Sequence, residues 1–300
     1  MKKGIIYIII SGLSFLVVNF IVKILGHPSY FPELHLQRYP AQELVLARSI
    51  VSFSISAFVI YRKKLPFFGN NKKWLLMRGT FGMIALTLFF FTIEKLPLAI
   101  ASTLQYLSPI FTIFIASFLF KERVSKTSYI ASTIALLGVF FIAWNAINKD
   151  AQFSIEWILI AIISAFFSGI AYNSIKKLKE TDEPINIVIY FPMLALPITG
   201  IWTAIDGIMP QGIEWLLLLT IGIFTQIAQI CMTKAFLLVK TSTIAPFQYL
   251  GAVYSLILGW FIFDEQLRFY SLVGIFLIIG GIILELYLSS LHTKSKKIRK

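Results

Sequence analysis

Residues 104–122 read LQYLSPIFTIFIASFLFKE, and residues 247–265 read FQYLGAVYSLILGWFIFDE. Laid side by side at an offset of 143, the stretches share Gln-Tyr-Leu near one end and Phe-x-Phe-x-Glu at the other. The same offset pairs Gly79 with Gly222, Phe81 with Phe224, Ala85 with Ala228 and Gly138 with Gly281, and gives twelve identities across residues 79–141. Apolar sequence matches itself by chance at Ile and Leu. Polar and aromatic clusters recurring at one shared spacing are the signature of an internal repeat. A fainter match at an offset of 153, Ser11 and Lys23 with Ser164 and Lys176, extends the duplication to the start of each half.

The duplicated material is apolar. Of 300 residues, 58% are hydrophobic and 14% charged, where a soluble domain carries about a quarter charged residues. Ten apolar runs lie between polar or proline-containing breaks, near 4–25, 42–61, 74–93, 97–119 and 127–145, then 155–175, 185–206, 213–237, 241–263 and 269–291. At 1.5 Å per residue each run crosses a hydrocarbon core of ~30 Å. Helices satisfy their own backbone hydrogen bonds there, and the runs lack the alternation of barrel strands. The expected fold is an all-α integral membrane protein of ten transmembrane helices, arranged as two five-helix repeats at 1–146 and 147–292 with a basic tail at 293–300. An odd number of spans per repeat starts the second half on the opposite face, so the repeats are inverted.

The net charge of +13 does not indicate nucleic acid, because the cations cluster between the apolar runs, as in Arg62-Lys63-Lys64. That is the pattern of cytoplasmic loops beside anionic lipid. With a cytoplasmic N-terminus, the inside segments hold nineteen Lys and Arg and the outside segments four, namely Arg38, Lys95, Lys149 and Arg268. The bias predicts a multi-pass protein of a bacterial inner membrane with both termini in the cytoplasm. Met1-Lys2-Lys3 and the run after it resemble a signal peptide, but the run is long and no small-residue cleavage site follows, so it reads as a retained first span. Cys231 is the sole cysteine and forms no intrachain disulfide.

Several chemistries are missing. The sequence has no G-x-x-x-x-G-K-[ST], G-x-S-x-G or H-E-x-x-H motif, and its histidines, His27, His35 and His292, fall outside the runs. No cofactor, metal site or enzymatic activity is expected. Inverted repeats recur in secondary transporters, where two similar halves give inward-open and outward-open states. The expected function is alternating-access movement of a small metabolite; a channel-like pore and a non-transporting membrane scaffold are the alternatives.

Leu96-Pro97-Leu98-Ala99, the stretch from Leu104 to Thr112, Phe118-Leu-Phe-Lys-Glu122, Arg78-Gly79 and Gly138 together resemble the EamA-type domain of the drug/metabolite transporter superfamily. The resemblance covers both halves, the second more weakly, with Ala252 in place of Pro109. It implies ten spans, cytoplasmic termini, a central cavity between the halves, and export or uptake of amino acids or related metabolites.

Particular residues stand out. Pro109 lies mid-span and Pro246 early in the corresponding span; a proline denies a hydrogen bond to the preceding turn and kinks the helix, which marks a hinge or a cargo site. Gln226, Gln229 and Thr233 share one face of the eighth span, while their repeat partners Met83, Leu86 and Phe90 are apolar; this one-sided polarity suits contact with cargo. Gln105, Tyr106, Gln248 and Tyr249 are further candidates. Arg48 sits inside the second span, where a charge costs ~2.5–3.5 kcal/mol, and Glu43 or Glu94 is its expected partner in a gating or structural pair, a role the family resemblance also suggests. Lys23, Lys176 and Lys234 are expected to snorkel, and Glu122 and Glu265 to cap loops or pair with neighbouring cations. Glu94 and Glu285 are the titrating groups within or bordering spans.

Overall fold

The computed structural model describes residues 2–26, 28, 31–95, 98–118, 121, 124–147, 155–263 and 269–298, and among them it has helices and loops but no strand. The apolar runs form α1 (Lys2–Gly26), α2 (Ala41–Arg62), α3 (Lys72–Lys95), α4 (Leu98–Gln105), α5 (Ser108–Phe118), α6 (Lys126–Ile147), α7 (Ile155–Lys177), α8 (Pro184–Asp206), α9 (Glu214–Leu238), α10 (Thr241–Ile244), α11 (Leu250–Phe263) and α12 (Phe269–Ile298). Five of these, α1, α2, α7, α8 and α9, are long and apolar enough to cross a membrane, and shorter apolar stretches occupy Thr103–Phe118, Lys126–Phe141 and Leu272–Leu288. The helix starts repeat as well: α8 and α12 begin 143 residues after α2 and α6.

Two expected spans are broken rather than bent. The fourth stops at Gln105, turns at Tyr106-Leu107 and restarts as α5. Pro109 is therefore not a mid-helix kink. It occupies the first turn of a new helix, where its missing N–H would have lacked an intrahelical partner anyway. The ninth span is α10, a 3-10 stretch over Ala245–Tyr249 with Pro246 in its first turn, and α11. The first interruption falls on the repeated Gln-Tyr-Leu, and the 3-10 stretch of the second half ends on Gln248-Tyr249.

The chain packs as two compact units. One comprises Ile6–Met83 and Ser174–Leu237; the other comprises Met1–Ile5, Ile84–Asn173 and Leu238–Lys300. Each takes helices from both halves of the sequence. The first unit has a core at one end where Ile21, Leu25, Leu36, Tyr39, Leu44 and Leu218 meet. The Glu214 carboxylate organises this end: it accepts the backbone N–H groups of Gln37 (2.6 Å) and Gln211 (2.7 Å), the Gln37 side chain (2.9 Å) and the Tyr39 hydroxyl (2.7 Å). Burial, reinforced by that carboxylate, pushes the Tyr39 pKa up and keeps its hydroxyl a donor. The connection before α2 is thus tied down onto α9. Glu43 accepts the Ile208 N–H at 2.7 Å, so the expected Glu43–Arg48 pair does not form. At the other end of this unit Asp182 accepts the backbone N–H groups of Asn70 and Asn71 at 2.6 and 3.1 Å, closing the loop between α2 and α3.

Contacts within the units come in reciprocal pairs. In one unit the Ser11 hydroxyl donates to the Ala228 carbonyl at 2.9 Å; in the other, Ser164 donates to Ala85 at 2.7 Å. Ser11 and Ser164 are partners in the repeat, and so are Ala85 and Ala228. Gly79 lies against Leu194 and Gly222 against Val51, again partners at the offset of 143. Gly138 lies against Gly274 and Ile278, and Gly281 against Ala131 and Ala135, which is one contact made twice between α6 and α12. Two partner pairs touch each other directly: Arg48 with Phe191, and Tyr106 with Tyr249.

Candidate functional site

Within the first unit, α2, α8 and α9 border a small recess, lined by Arg48, Ser49, Ser52, Val188, Phe191, Pro192, Thr225 and Gln229. Arg48 lies about two turns into α2, or ~10 Å from its start at 1.5 Å per residue, and its guanidinium carbon is 5.2 Å from the centroid of the Phe191 ring. That is cation–π range. Proline at positions 192 and 197 of α8 removes backbone donors beside the recess. Ser49 and Thr225 are buried, and neither hydroxyl has a hydrogen-bond partner among the described residues. Among the described residues, no carboxylate lines the recess.

The stripe on α9 divides by role. Gln226 is buried at 2% exposure; its carbonyl accepts the Ser52 hydroxyl and its amide donates to Ser56 at 2.8 Å. It joins α9 to α2 and is absent from the recess lining. Gln229, one turn on, lines the recess and accepts from the Arg78 guanidinium at 3.1 Å. That bond fixes its oxygen toward Arg78, and its amide N–H groups have no partner among the described residues. Thr233 is fully buried with an unpartnered hydroxyl, away from the recess lining. Lys234 holds its ammonium 5.3 Å from the Tyr7 ring centroid.

The remaining candidates lie in the other unit. Gln105, the last residue of α4, donates to Ser168 and accepts from Ser164, both at 3.0 Å, and so joins α4 to α7. Tyr106 and Tyr249 face one another with ring centroids 6.1 Å apart. The Tyr249 hydroxyl and the Gln248 amide nitrogen are buried without partners. Glu285 is buried on α12 and accepts the Ser128 hydroxyl at 3.1 Å. The side chain of Glu94, together with Glu122 and Glu265, lies outside the described residues.

A family model for EamA-like transporters matches residues 2–144 and again 155–287. The chain belongs to the EamA-like transporter family. It is a multi-pass membrane protein in which the model matches twice, once in each half. This EamA-like chain is 26% identical over 288 residues to the pseudopaline exporter of Pseudomonas aeruginosa, covering 94% of this chain and 95% of the exporter. It is 24% identical to the riboflavin transporter of Vibrio cholerae over 271 residues, 87% of this chain and 85% of that protein. It is 23% identical to the S-adenosylmethionine uptake transporter of Rickettsia prowazekii over 299 residues, 98% and 96% of the two chains. A crystal structure of 16% identity superposes with a TM-score of 0.81 over 96% of this chain and 98% of the other, a likeness of fold.

Sequence reasoning alone did not find Phe191, Ser49 or Thr225. The signal for Phe191 was present, since the repeat offset sets it opposite Arg48. Serine and threonine in an apolar span carry no such mark, because there they also bond back to their own helix, as Thr199 does to the Ala195 carbonyl at 2.8 Å.

Proposed function

We propose that this EamA-like chain is a secondary transporter of a small metabolite, built of ten transmembrane helices in two inverted repeats at 1–146 and 147–292 and working by alternating access. The observation that carries the reading is the reciprocity of contacts. Ser11–Ala228 and Ser164–Ala85 are one hydrogen bond made by both halves, and Gly79–Leu194 and Gly222–Val51 are one close approach made twice. Contacts of the form i to j and j to i arise from a two-fold relation between the halves. Two helices interrupted at matching positions, on Gln105-Tyr106-Leu107 and on a 3-10 stretch ending at Gln248-Tyr249, are the usual place for cargo and hinge in such folds. Arg48, Gln229, Tyr106 and Tyr249 are the side chains assigned to that work, with Pro109 and Pro246 setting the interruptions. The relatives carry an exporter name in one case and an uptake name in another, so the shared machine runs with different cargoes and directions. No enzymatic step is assigned.

Carrier behaviour is the test. In proteoliposomes loaded with an isotopically labelled bacterial metabolite extract, at least one compound should leave in a protein-dependent manner, with saturation and acceleration by the same compound outside. Linear flux with unitary currents would identify a pore, and no flux at all a scaffold.

Orientation follows from the distribution of cations: a bacterial inner membrane with both termini inside. In a Cys231→Ser background, membrane-impermeant thiol reagent applied to cells should label Met209→Cys and spare Lys64→Cys and Lys296→Cys. The opposite pattern would remove the topology and the inversion with it.

A further inference from the structure

We infer that the recess bounded by α2, α8 and α9 takes the carboxylate of the cargo, with Arg48 as its counter-ion. This rests on the transporter reading and adds the class of substrate. Arg48 brings a full charge into the interior of a span, which is expensive unless something offsets it. No described carboxylate does: Glu43 is committed to the Ile208 N–H, and every group lining the recess is neutral or cationic. The Arg48 guanidinium carbon lies 5.2 Å from the Phe191 ring centroid, and a guanidinium's donors lie in its plane, in a fork that matches a carboxylate.

Three further donors are available. Ser49 and Thr225 are 1% and 2% exposed, line the recess, and leave their hydroxyls without partners among the described residues. Buried hydroxyls normally find a partner, and those that lack one call for an explanation. The Gln229 amide N–H groups are the third, oriented by the Arg78 bond to the Gln229 oxygen. One guanidinium among neutral donors suits a monoanionic planar group better than a phosphate, which recruits several cations. Val188 and Pro192 supply apolar wall for the adjoining carbons.

The site is read directly by solution NMR of arginine-labelled protein in nanodiscs, with the Arg48 guanidinium signal assigned by its loss in Arg48→Lys. Phenylacetate should shift that signal saturably, and phenylacetamide should not. Ser49→Ala, which keeps the charge, should weaken phenylacetate about three- to tenfold. Equal responses to acid and amide, or no saturable shift, would overturn the assignment; tighter binding of inorganic phosphate would overturn it in favour of a phosphate site. In the proteoliposome assay, the exported compounds should carry carboxylates, and Arg48→Gln should slow them about tenfold or more. Cargo without a carboxylate, or undiminished transport by Arg48→Gln, would refute this inference and leave the transporter reading standing. If the wild-type protein moves nothing, the transporter reading falls, and the Arg48 signal alone decides whether the recess takes carboxylates.

Discussion

Leucine in place of Gln226 is expected to lower the melting temperature of the detergent-solubilised protein while sparing transport, and leucine in place of Gln229 to slow transport. The two residues are one turn apart on α9, so the contrast isolates what each side chain touches. Gln226→Leu strands the Ser52 and Ser56 hydroxyls, 3% and 0% exposed, which now bond to its amide. Each stranded group costs about 1–3 kcal/mol in a protein interior, while interhelical bonds in a membrane average ~0.6 kcal/mol. A net loss of about 1–3 kcal/mol follows. Gln229→Leu instead takes a partly exposed amide from the edge of the recess and removes the acceptor of Arg78. Arg78 is 4% exposed, so losing that acceptor also costs about 1–3 kcal/mol, and transport, reduced about tenfold, is what separates the two variants. The measurements are a thermal unfolding curve and a counterflow rate on each variant. If Gln229→Leu melted early and transported normally, its place in the cargo site would be lost, and Tyr106 and Tyr249 would become the better candidates.

That contrast also marks where sequence reading stops. Periodicity placed Gln226, Gln229 and Thr233 on one face, and the face exists. Which neighbour each residue meets depends on the crossing of α9 with α2, α3 and α8, and that crossing is set by bulk at distant positions such as Gly222 against Val51. The helices themselves were legible because spans are fixed by a simple demand, about twenty apolar residues with internally satisfied backbone. The interruption at Gln105-Tyr106-Leu107 was visible only as a proline nearby. Pro109 suggested a kink, and the break lies upstream of it, since a proline in a first turn marks a helix start as readily as a bend. Arg48 was found by its cost; of its two expected partners, Glu43 is engaged elsewhere, and the Glu94 side chain lies outside the described residues. Glu43 was a candidate because it lies near the same membrane face, yet in the structure its carboxylate accepts the N–H of Ile208.

The duplicated pattern was the most informative feature of the sequence, and it makes a sharp steric prediction at two adjacent glycines. Gly281→Ala is expected to destabilise the solubilised protein by about 1–3 kcal/mol, while Gly280→Ala is neutral or stabilising by up to ~1 kcal/mol. A methyl on Gly281 would fall 2.7 Å from the Ala131 carbonyl oxygen and 3.2 Å from the Ala135 nitrogen. Both are backbone atoms of α6, so no side chain can swing aside, and α6 and α12 must separate. Overpacking of a close helix contact costs about 1–3 kcal/mol. A methyl on Gly280 meets nothing within 4 Å, so only the better helix propensity of alanine, up to ~1 kcal/mol, acts there. Because a methyl on Gly138 would make the reciprocal approach, 2.6 Å from the Gly274 carbonyl oxygen, Gly138→Ala should cost about as much as Gly281→Ala. In the double variant the two costs should combine less than additively, since one separation of α6 from α12 relieves both clashes. Thermal unfolding of the four proteins beside wild type reads this directly. Equal behaviour of Gly280→Ala and Gly281→Ala would contradict the packing of α12 on α6. Unequal costs at Gly138 and Gly281, beyond about 1 kcal/mol, would count against the two-fold relation from which the transporter reading draws its support.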